Sequence, residues 1–60
     1  MFQVSESDFR RIIEMWGGTH SFSSTSDLEY TDYFLDDTPI ASEQALPNGQ
    51  IIYRIRKDFD

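Results

Sequence analysis

The sequence contains no cysteine, and His20 is the single histidine among its sixty residues. The absence of cysteine excludes disulfides, thiolate metal sites and thiol catalysis. One histidine excludes a zinc site built from several histidines, and we expect no cofactor. A chain of this length buries only about 60% of the surface that its unfolded form exposes, so its stability is marginal. Stability must therefore come from an apolar core, with self-association as a further source.

Long apolar runs are also missing, because no stretch approaches the ~20 apolar residues that span a bilayer. Residues 1–6 lack the basic start and the apolar stretch of a signal peptide. Basic residues are few, and the formal net charge of −6 argues against direct binding to nucleic acid or to anionic membranes. We therefore expect a cytoplasmic protein with neither a membrane nor a nucleic acid as its direct partner.

The acidic residues are concentrated in the middle of the chain. The window Thr25–Gly49 contains six acids and no Lys or Arg. These acids are Asp27, Glu29, Asp32, Asp36, Asp37 and Glu43. The basic residues all lie outside the window, at Arg10, Arg11, Arg54, Arg56 and Lys57. Because nine residues of the chain are also aromatic, this segregation indicates a surface suited to a basic protein partner.

The clearest predicted element is an amphipathic helix near Ser5–Trp16. Ser5 is a suitable N-cap, and Val4 can pack on Phe9 as a hydrophobic staple. Apolar residues recur at i, i+3, i+4 and i+7 and so share one face of this helix; they are Phe9, Ile12, Ile13 and Trp16. Gly17-Gly18 then ends the helix, because glycine accepts the left-handed geometry of a C-cap.

The next two segments are harder to assign. Thr19–Ser26 is rich in hydroxyl side chains that compete with backbone hydrogen bonds, which favours a loop over a short edge strand. At 27–37, Ser26-Asp27-Leu28-Glu29 fits a helix capping box, whereas the Thr and aromatic residues that follow favour a strand. We predict a strand, with a helix as the alternative, because Asp36-Asp37 would oppose the dipole at a helix C-terminus.

The last third of the chain predicts turns and strands. Asp36–Pro39 is a turn signal, and Ile40–Leu46 fits either a strand or a short helical turn. Pro47-Asn48-Gly49 predicts a tight turn. Gln50–Arg56 predicts a strand, since its apolar residues alternate. One face of that strand carries Ile51, Tyr53 and Ile55.

The expected fold is therefore α+β, in a single small domain over residues 1–60. An N-terminal helix at about 5–16 packs on a small antiparallel sheet that ends in a C-terminal hairpin turning at 47–49.

The acidic window has three interpretations. Surface acids most often keep a small protein soluble. Alternatively, Asp27 and Glu29 on a strand would lie ~6.6 Å apart on one face, a spacing similar to that of successive phosphates. Such an array would occupy the basic groove of a nucleic-acid enzyme. A calcium loop is the third interpretation, but the acids lack the spacing and the glycine that it requires.

No constellation of residues indicates catalysis, so we expect a protein that is not an enzyme. His20 lies near several serines, but nucleophilic catalysis also needs an oriented base and an oxyanion site. The basic segment 54–57, with Tyr53 and Phe59 nearby, could contact nucleic acid. We expect instead that Arg54 and Arg56 lie on the exposed face of the sheet and pair with the chain's own acids.

In size and charge the chain is similar to the small acidic inhibitors of phages and other mobile elements, including anti-restriction and anti-CRISPR proteins. The similarity rests on no motif, so it assigns no functional residue. It implies a protein that inhibits its target by binding.

The leading hypothesis is a non-catalytic protein that binds and inhibits a larger protein with a basic surface, such as a nucleic-acid enzyme. Charge would speed encounter, and aromatic side chains would supply most of the affinity. The residues predicted to bind this partner are Asp27, Glu29, Tyr30, Asp32, Tyr33, Asp36 and Asp37. The alternative is an accessory or regulatory interaction domain that dimerises through the Phe9–Trp16 helix face, with acids that serve solubility alone.

Overall fold

The computed structural model of the chain describes residues 1–56. Its elements, in chain order, are β1 (Phe2–Val4), α1 (Glu6–Gly17), β2 (Ser23–Ser26), β3 (Tyr30–Leu35), β4 (Thr38–Ala45) and β5 (Ile51–Ile55). The strands form one antiparallel sheet in the order β1-β5-β4-β3-β2, and α1 packs on one of its faces. The predicted α+β fold with an N-terminal helix is confirmed. Lys57 and Phe59, in the predicted basic segment and its surroundings, lie outside the described residues.

Helix α1 begins as its sequence predicts and ends differently. The Ser5 hydroxyl oxygen accepts a hydrogen bond from the Asp8 backbone N–H at 3.2 Å, which confirms the N-cap. The expected left-handed C-cap is wrong, because Gly18 has a φ of −73° in the right-handed region. The helix is closed instead by backbone bonds from the Gly18 N–H to the Glu14 carbonyl and from the His20 N–H to the Trp16 carbonyl. No helix within residues 1–56 is long and apolar enough to cross a membrane.

The core lies between the apolar face of α1 and the middle of the sheet. It consists of Phe9, Ile12, Ile40, Ala41, Tyr53 and Ile55. The rings of Phe9 and Tyr53 lie 5.0 Å apart, and Val4 packs against the same cluster. Two of the four residues on the predicted apolar stripe are fully buried, while Ile13 and Trp16 are half-buried at its margin. The apolar face of α1 is therefore buried against its own sheet.

A β-bulge between β3 and β4 shapes the core. Tyr33 pairs with Ala41 and the next residue, Phe34, pairs with Pro39, so Ile40 has no partner on β3. Ile40 and Ala41 are consecutive in the chain and both belong to the core cluster on the helix side, which regular alternation along a strand does not permit. The bulge therefore adds a fully buried isoleucine to the helix side of the sheet.

Three assignments in the middle of the chain require correction. Ser23–Ser26 forms an edge strand rather than a loop, because its backbone pairs with β3. The capping-box interpretation of 26–29 is wrong, since these residues end β2 and turn into β3. The strand predicted for 27–37 is shorter, at Tyr30–Leu35, with a turn on either side. The turn predicted for Asp36–Pro39 is confined to its first two residues, since β4 begins at Thr38.

The final hairpin agrees with its sequence pattern. The turn at 47–49 joins β4 to β5, and Gly49 has a φ of 88°, which favours glycine. Of the two assignments considered for Ile40–Leu46, the strand is confirmed. In β5, Tyr53 and Ile55 are buried on the helix side, whereas Arg54 lies on the opposite side of the sheet.

Candidate functional site

The sheet has one face that α1 covers and one, called here the open face, that no helix or strand of residues 1–56 covers. Cross-strand register identifies the open face, since Asp32 pairs with Ser42 and Ser42 pairs with Arg54. The neighbouring row, Tyr33, Ala41 and Ile55, packs toward α1. Strand β2 is the outer strand on one side of the sheet, and its four residues are all exposed.

Five of the predicted binding residues border this outer strand, and we call them the acidic edge: Asp27, Glu29, Asp32, Asp36 and Asp37. The first two lie in the β2–β3 turn, Asp32 lies in the middle of β3 on the open face, and the last two form the β3–β4 turn. Since β3 has six residues at ~3.4 Å each, the two turns lie about 20 Å apart. The expected ~6.6 Å spacing of Asp27 and Glu29 on one strand face is wrong, because both residues lie in a turn.

Asp27 organises the β2–β3 turn. Its Oδ1 accepts the backbone N–H groups of Glu29 at 2.9 Å and Tyr30 at 2.8 Å. These two bonds stabilise the ionised carboxylate and lower the pKa of Asp27 below its ordinary value, the Tyr30 bond more than the Glu29 bond. The side chain is exposed, so it holds the turn in shape and still presents a negative charge to solvent.

Glu29 joins a hydrogen-bonded row across the open face. Its Oε1 accepts a bond from the Gln44 side-chain amide at 2.8 Å, and the Gln44 Oε1 accepts one from Arg54 Nη1, also at 2.8 Å. The prediction that Arg54 pairs directly with an acid is therefore wrong, because Gln44 lies between the two charges. Among residues 1–56, ion pairs within 4.0 Å join only Arg10 to Glu6 and Arg11 to Asp8.

The other end of the acidic edge is a two-residue hairpin turn. Asp36 and Asp37 have φ values of 50° and 68°, the positive values that a type I′ turn requires at both central positions. Aspartate tolerates this region better than most residues, because its short side chain can hydrogen-bond locally. Both side chains are exposed, which places two adjacent carboxylates at the tip of the hairpin.

The two predicted tyrosines lie on opposite faces of β3. Tyr30 is exposed on the open face, whereas Tyr33 turns toward α1, where its ring meets Phe9 edge-on at 5.8 Å. The Tyr33 hydroxyl donates a 2.6 Å hydrogen bond to Glu43 Oε2. Burial, followed by this bond and the nearby negative charge, raises the pKa of Tyr33 to about 12. Tyr33 is thus a packing residue, and the structure does not bring it together with the acidic edge.

Leu28 is a surface feature that the sequence analysis does not single out. It lies between Asp27 and Glu29 at the tip of the β2–β3 turn, and its side chain is fully exposed. The signal that could have identified it is an apolar residue flanked by two acids within a turn. Tyr30 begins the strand that follows, so this end of the edge combines apolar and acidic groups.

Within residues 1–56, no group of three or more His, Asp or Glu side chains is arranged to hold a metal ion. His20 is exposed, with its Nδ1 2.8 Å from the Thr19 hydroxyl and its ring tilted at 42° to that of Trp16, with the ring centroids 4.6 Å apart. Comparison with protein-family models, with curated proteins and with solved structures finds no match for this chain. The function of the chain is therefore inferred from the acidic and exposed apolar groups on this edge.

Proposed function

We propose that this chain is a non-catalytic protein that binds a larger protein through the acidic edge and inhibits it. The single observation that carries the proposal is that all five carboxylates of this edge lack an ion pair within residues 1–56. Negative charge that its own chain does not neutralise attracts a surface rich in Lys and Arg and accelerates encounter with it. A cytoplasmic location fits such a partner.

The target that best matches this edge is the nucleic-acid-binding groove of an enzyme. The five carboxylates extend over about 20 Å, with two at each turn and one between them, so a basic groove of similar length could contact all of them. A rigid sheet edge with this charge density would compete with nucleic acid for the same Lys and Arg side chains. The size and charge shared with phage and mobile-element inhibitors, including anti-restriction and anti-CRISPR proteins, support the same function.

Apolar contacts would add affinity at one end of the edge. Leu28 and Tyr30 are exposed beside Asp27 and Glu29, so a partner can bury them while its basic residues meet the carboxylates. Interfaces typically owe most of their binding energy to a few buried anchors, among which tyrosine is common, and charge mainly steers association. We therefore propose that Leu28 and Tyr30 supply most of the binding energy, and that the carboxylates of the whole edge attract a basic partner.

The alternative function, dimerisation through the Phe9–Trp16 helix face, has less support. Phe9 and Ile12 are buried against the chain's own sheet, so that face cannot also form a large apolar seam with a second copy. No observation on the described residues favours a regulatory domain over a binding protein.

The test is affinity capture of the tagged protein from bacterial lysate, with elution by salt and then by a short DNA duplex. We expect a nucleic-acid enzyme that DNA displaces and whose activity the purified protein inhibits. A triple variant, Asp32→Asn, Asp36→Asn and Asp37→Asn, should lose this capture, while Asn retains the turn geometry of both turn residues.

The matched control removes three charges from α1 instead, with Glu6→Gln, Asp8→Asn and Glu14→Gln. Both triple variants raise the net charge by the same amount, and the helix variant also removes the ion-pair partners of Arg10 and Arg11. If the helix variant and the edge variant lose the partner equally, net charge is responsible and the acidic edge is not the binding surface. Circular dichroism of both variants checks that they remain folded.

A further inference from the structure

The outer side of β2 offers free backbone hydrogen-bonding groups. No strand of residues 1–56 pairs with that side, because β2 ends the sheet. The Asp27 N–H donates to the Tyr30 carbonyl, and bonded and non-bonded pairs alternate from there along an antiparallel ladder. Thr25 and Ser23 therefore bond to β3, while the backbone groups of Ser24 and Ser26 point outward.

This edge lacks most of the features that prevent strand pairing. Natural sheets protect their edges with lysines, prolines or bulges, and Ser23–Ser26 contains none of these, since the bulge of this sheet lies between β3 and β4. Only its length of four residues limits pairing. All four side chains are small, polar and exposed, so they do not obstruct the approach of another strand.

Carboxylates surround the same free edge. Asp27 and Glu29 lie beyond its C-terminal end, the Asp36-Asp37 turn lies beyond its N-terminal end, and Asp32 pairs with Thr25 in the middle. We propose that β2 accepts an extended, Lys- and Arg-bearing segment of the partner protein as a sixth strand. The inference rests on the function proposed above and specifies the mode of binding, in which main-chain bonds supplement charge.

The dimensions of the sheet are compatible with this mode. A residue of the added strand opposite Thr25 would lie two strand spacings, about 10 Å, from Asp32. An arginine at that position on the open face can extend over Thr25, which is small, and reach the Asp32 carboxylate. Basic residues toward either end of the segment would meet the acids of the two turns.

A second copy of this chain is a poorer occupant of the edge. Antiparallel pairing of β2 with itself would bring the Asp27 end of one copy toward the Asp36-Asp37 end of the other. Like charges would then meet at both ends of the new ladder, which opposes association. Charge complementarity therefore selects a basic segment of a different protein.

The experiment uses the full chain, labelled with ¹⁵N, and a synthetic peptide of alternating arginine and threonine. Titration followed by NMR gives the affinity, and amide hydrogen exchange reports on individual residues. We expect the peptide to slow exchange at the Ser24 and Ser26 amides, which point outward in the free protein. The same peptide N-methylated at its threonines keeps its charge but loses the donors that face Ser24 and Ser26, and it should bind about tenfold more weakly.

A pair of protein variants provides the matched comparison. Ser24→Pro removes the outward N–H at an edge position that tolerates proline, and Ser24→Ala removes only the hydroxyl. The proline variant should lose about tenfold in affinity, and the alanine variant should bind like the unchanged protein. If the proline variant does not fold, the N-methylated peptide still tests the same bond from the ligand side.

Two results would overturn strand addition. One is that saturating peptide does not slow amide hydrogen exchange at Ser24 and Ser26. The other is that the unmodified and the N-methylated peptides bind with equal affinity. If that peptide affinity still falls with salt and with the Asp32, Asp36 and Asp37 substitutions, the acidic edge remains the binding surface. Loss of any dependence on these acids would instead contradict the proposed function itself. A dimer formed through β2 at low salt would overturn the choice of a different protein as occupant.

Discussion

Ile40 is the residue at which a single substitution tests most directly how this sheet is built. It lacks a partner on β3 because of the β-bulge, and its side chain is only 2% exposed within the core. Ile51 provides a matched control, since it is also an isoleucine of the sheet but is 47% exposed. Replacing each by alanine deletes the same atoms from two different environments.

The expected loss of unfolding free energy follows from how deeply each side chain is buried. Three buried carbons contribute about 2.4 kcal/mol at ~0.8 kcal/mol each, and the cavity that remains adds to this, giving about 3–4 kcal/mol for Ile40→Ala. The exposed Ile51→Ala should cost about 1 kcal/mol or less. A domain of sixty residues has a total unfolding free energy of about 3–9 kcal/mol, so Ile40→Ala should remove a large share of it.

Urea unfolding followed by the fluorescence of Trp16, which packs at the margin of the core, measures both values. The midpoint should fall far more for Ile40→Ala than for Ile51→Ala, with similar slopes if both unfold in two states. Ile40→Val, which keeps most of the side chain, should cost only about 0.5–1.5 kcal/mol. Equal losses for the two alanine variants would mean that Ile40 does not enter the core, and the account of the bulge would be refuted.

Two further predictions concern Tyr33 and the β3–β4 turn. Because the pKa of Tyr33 is raised from 10.0 to about 12, its protonated form stabilises the fold fully below pH 10, and this stabilisation disappears as the pH rises toward 12. Near-ultraviolet titration should show a late phenolate step that Tyr33→Phe abolishes and Tyr30→Phe retains; persistence of that step in Tyr33→Phe would assign it elsewhere. The double substitution Asp36→Asn and Asp37→Gly supplies the residues preferred in a type I′ turn and should stabilise the fold by about 1 kcal/mol. Thermal unfolding should show a Tm higher by ~4–8 °C, and a lower Tm would argue against positive φ at these two positions.

Local signals in the sequence were sufficient to predict several elements of the fold. Ser5 and the spacing of Phe9 and Ile12 define α1, because capping and helical periodicity act within a few residues of each other. The turn before β5 and the alternation of Tyr53 and Ile55 are equally local. The concentration of acids between Thr25 and Gly49 is likewise a property of the chain alone.

Other features depended on partners distant in sequence. Ser23–Ser26 has the composition of a loop and becomes a strand because β3 supplies the backbone bonds that its hydroxyls would otherwise replace. Strand β1 has only three residues, too few for any periodic pattern, and it exists through pairing with β5. Nothing in the local sequence marks Ile40 as a bulge, since a bulge arises from the register between two strands.

The features of the candidate site likewise fall into those that the local sequence sets and those that depend on distant partners. The sequence by itself determined that this protein carries a block of acids with no Lys or Arg among them, because charge is counted residue by residue. Only the tertiary structure decided that Asp27 and Asp37 lie at opposite ends of one sheet edge and that Tyr33 turns inward to Glu43. The physical reason is that each side-chain direction on a strand follows from cross-strand register, and hydrogen bonds between segments far apart in the chain set that register.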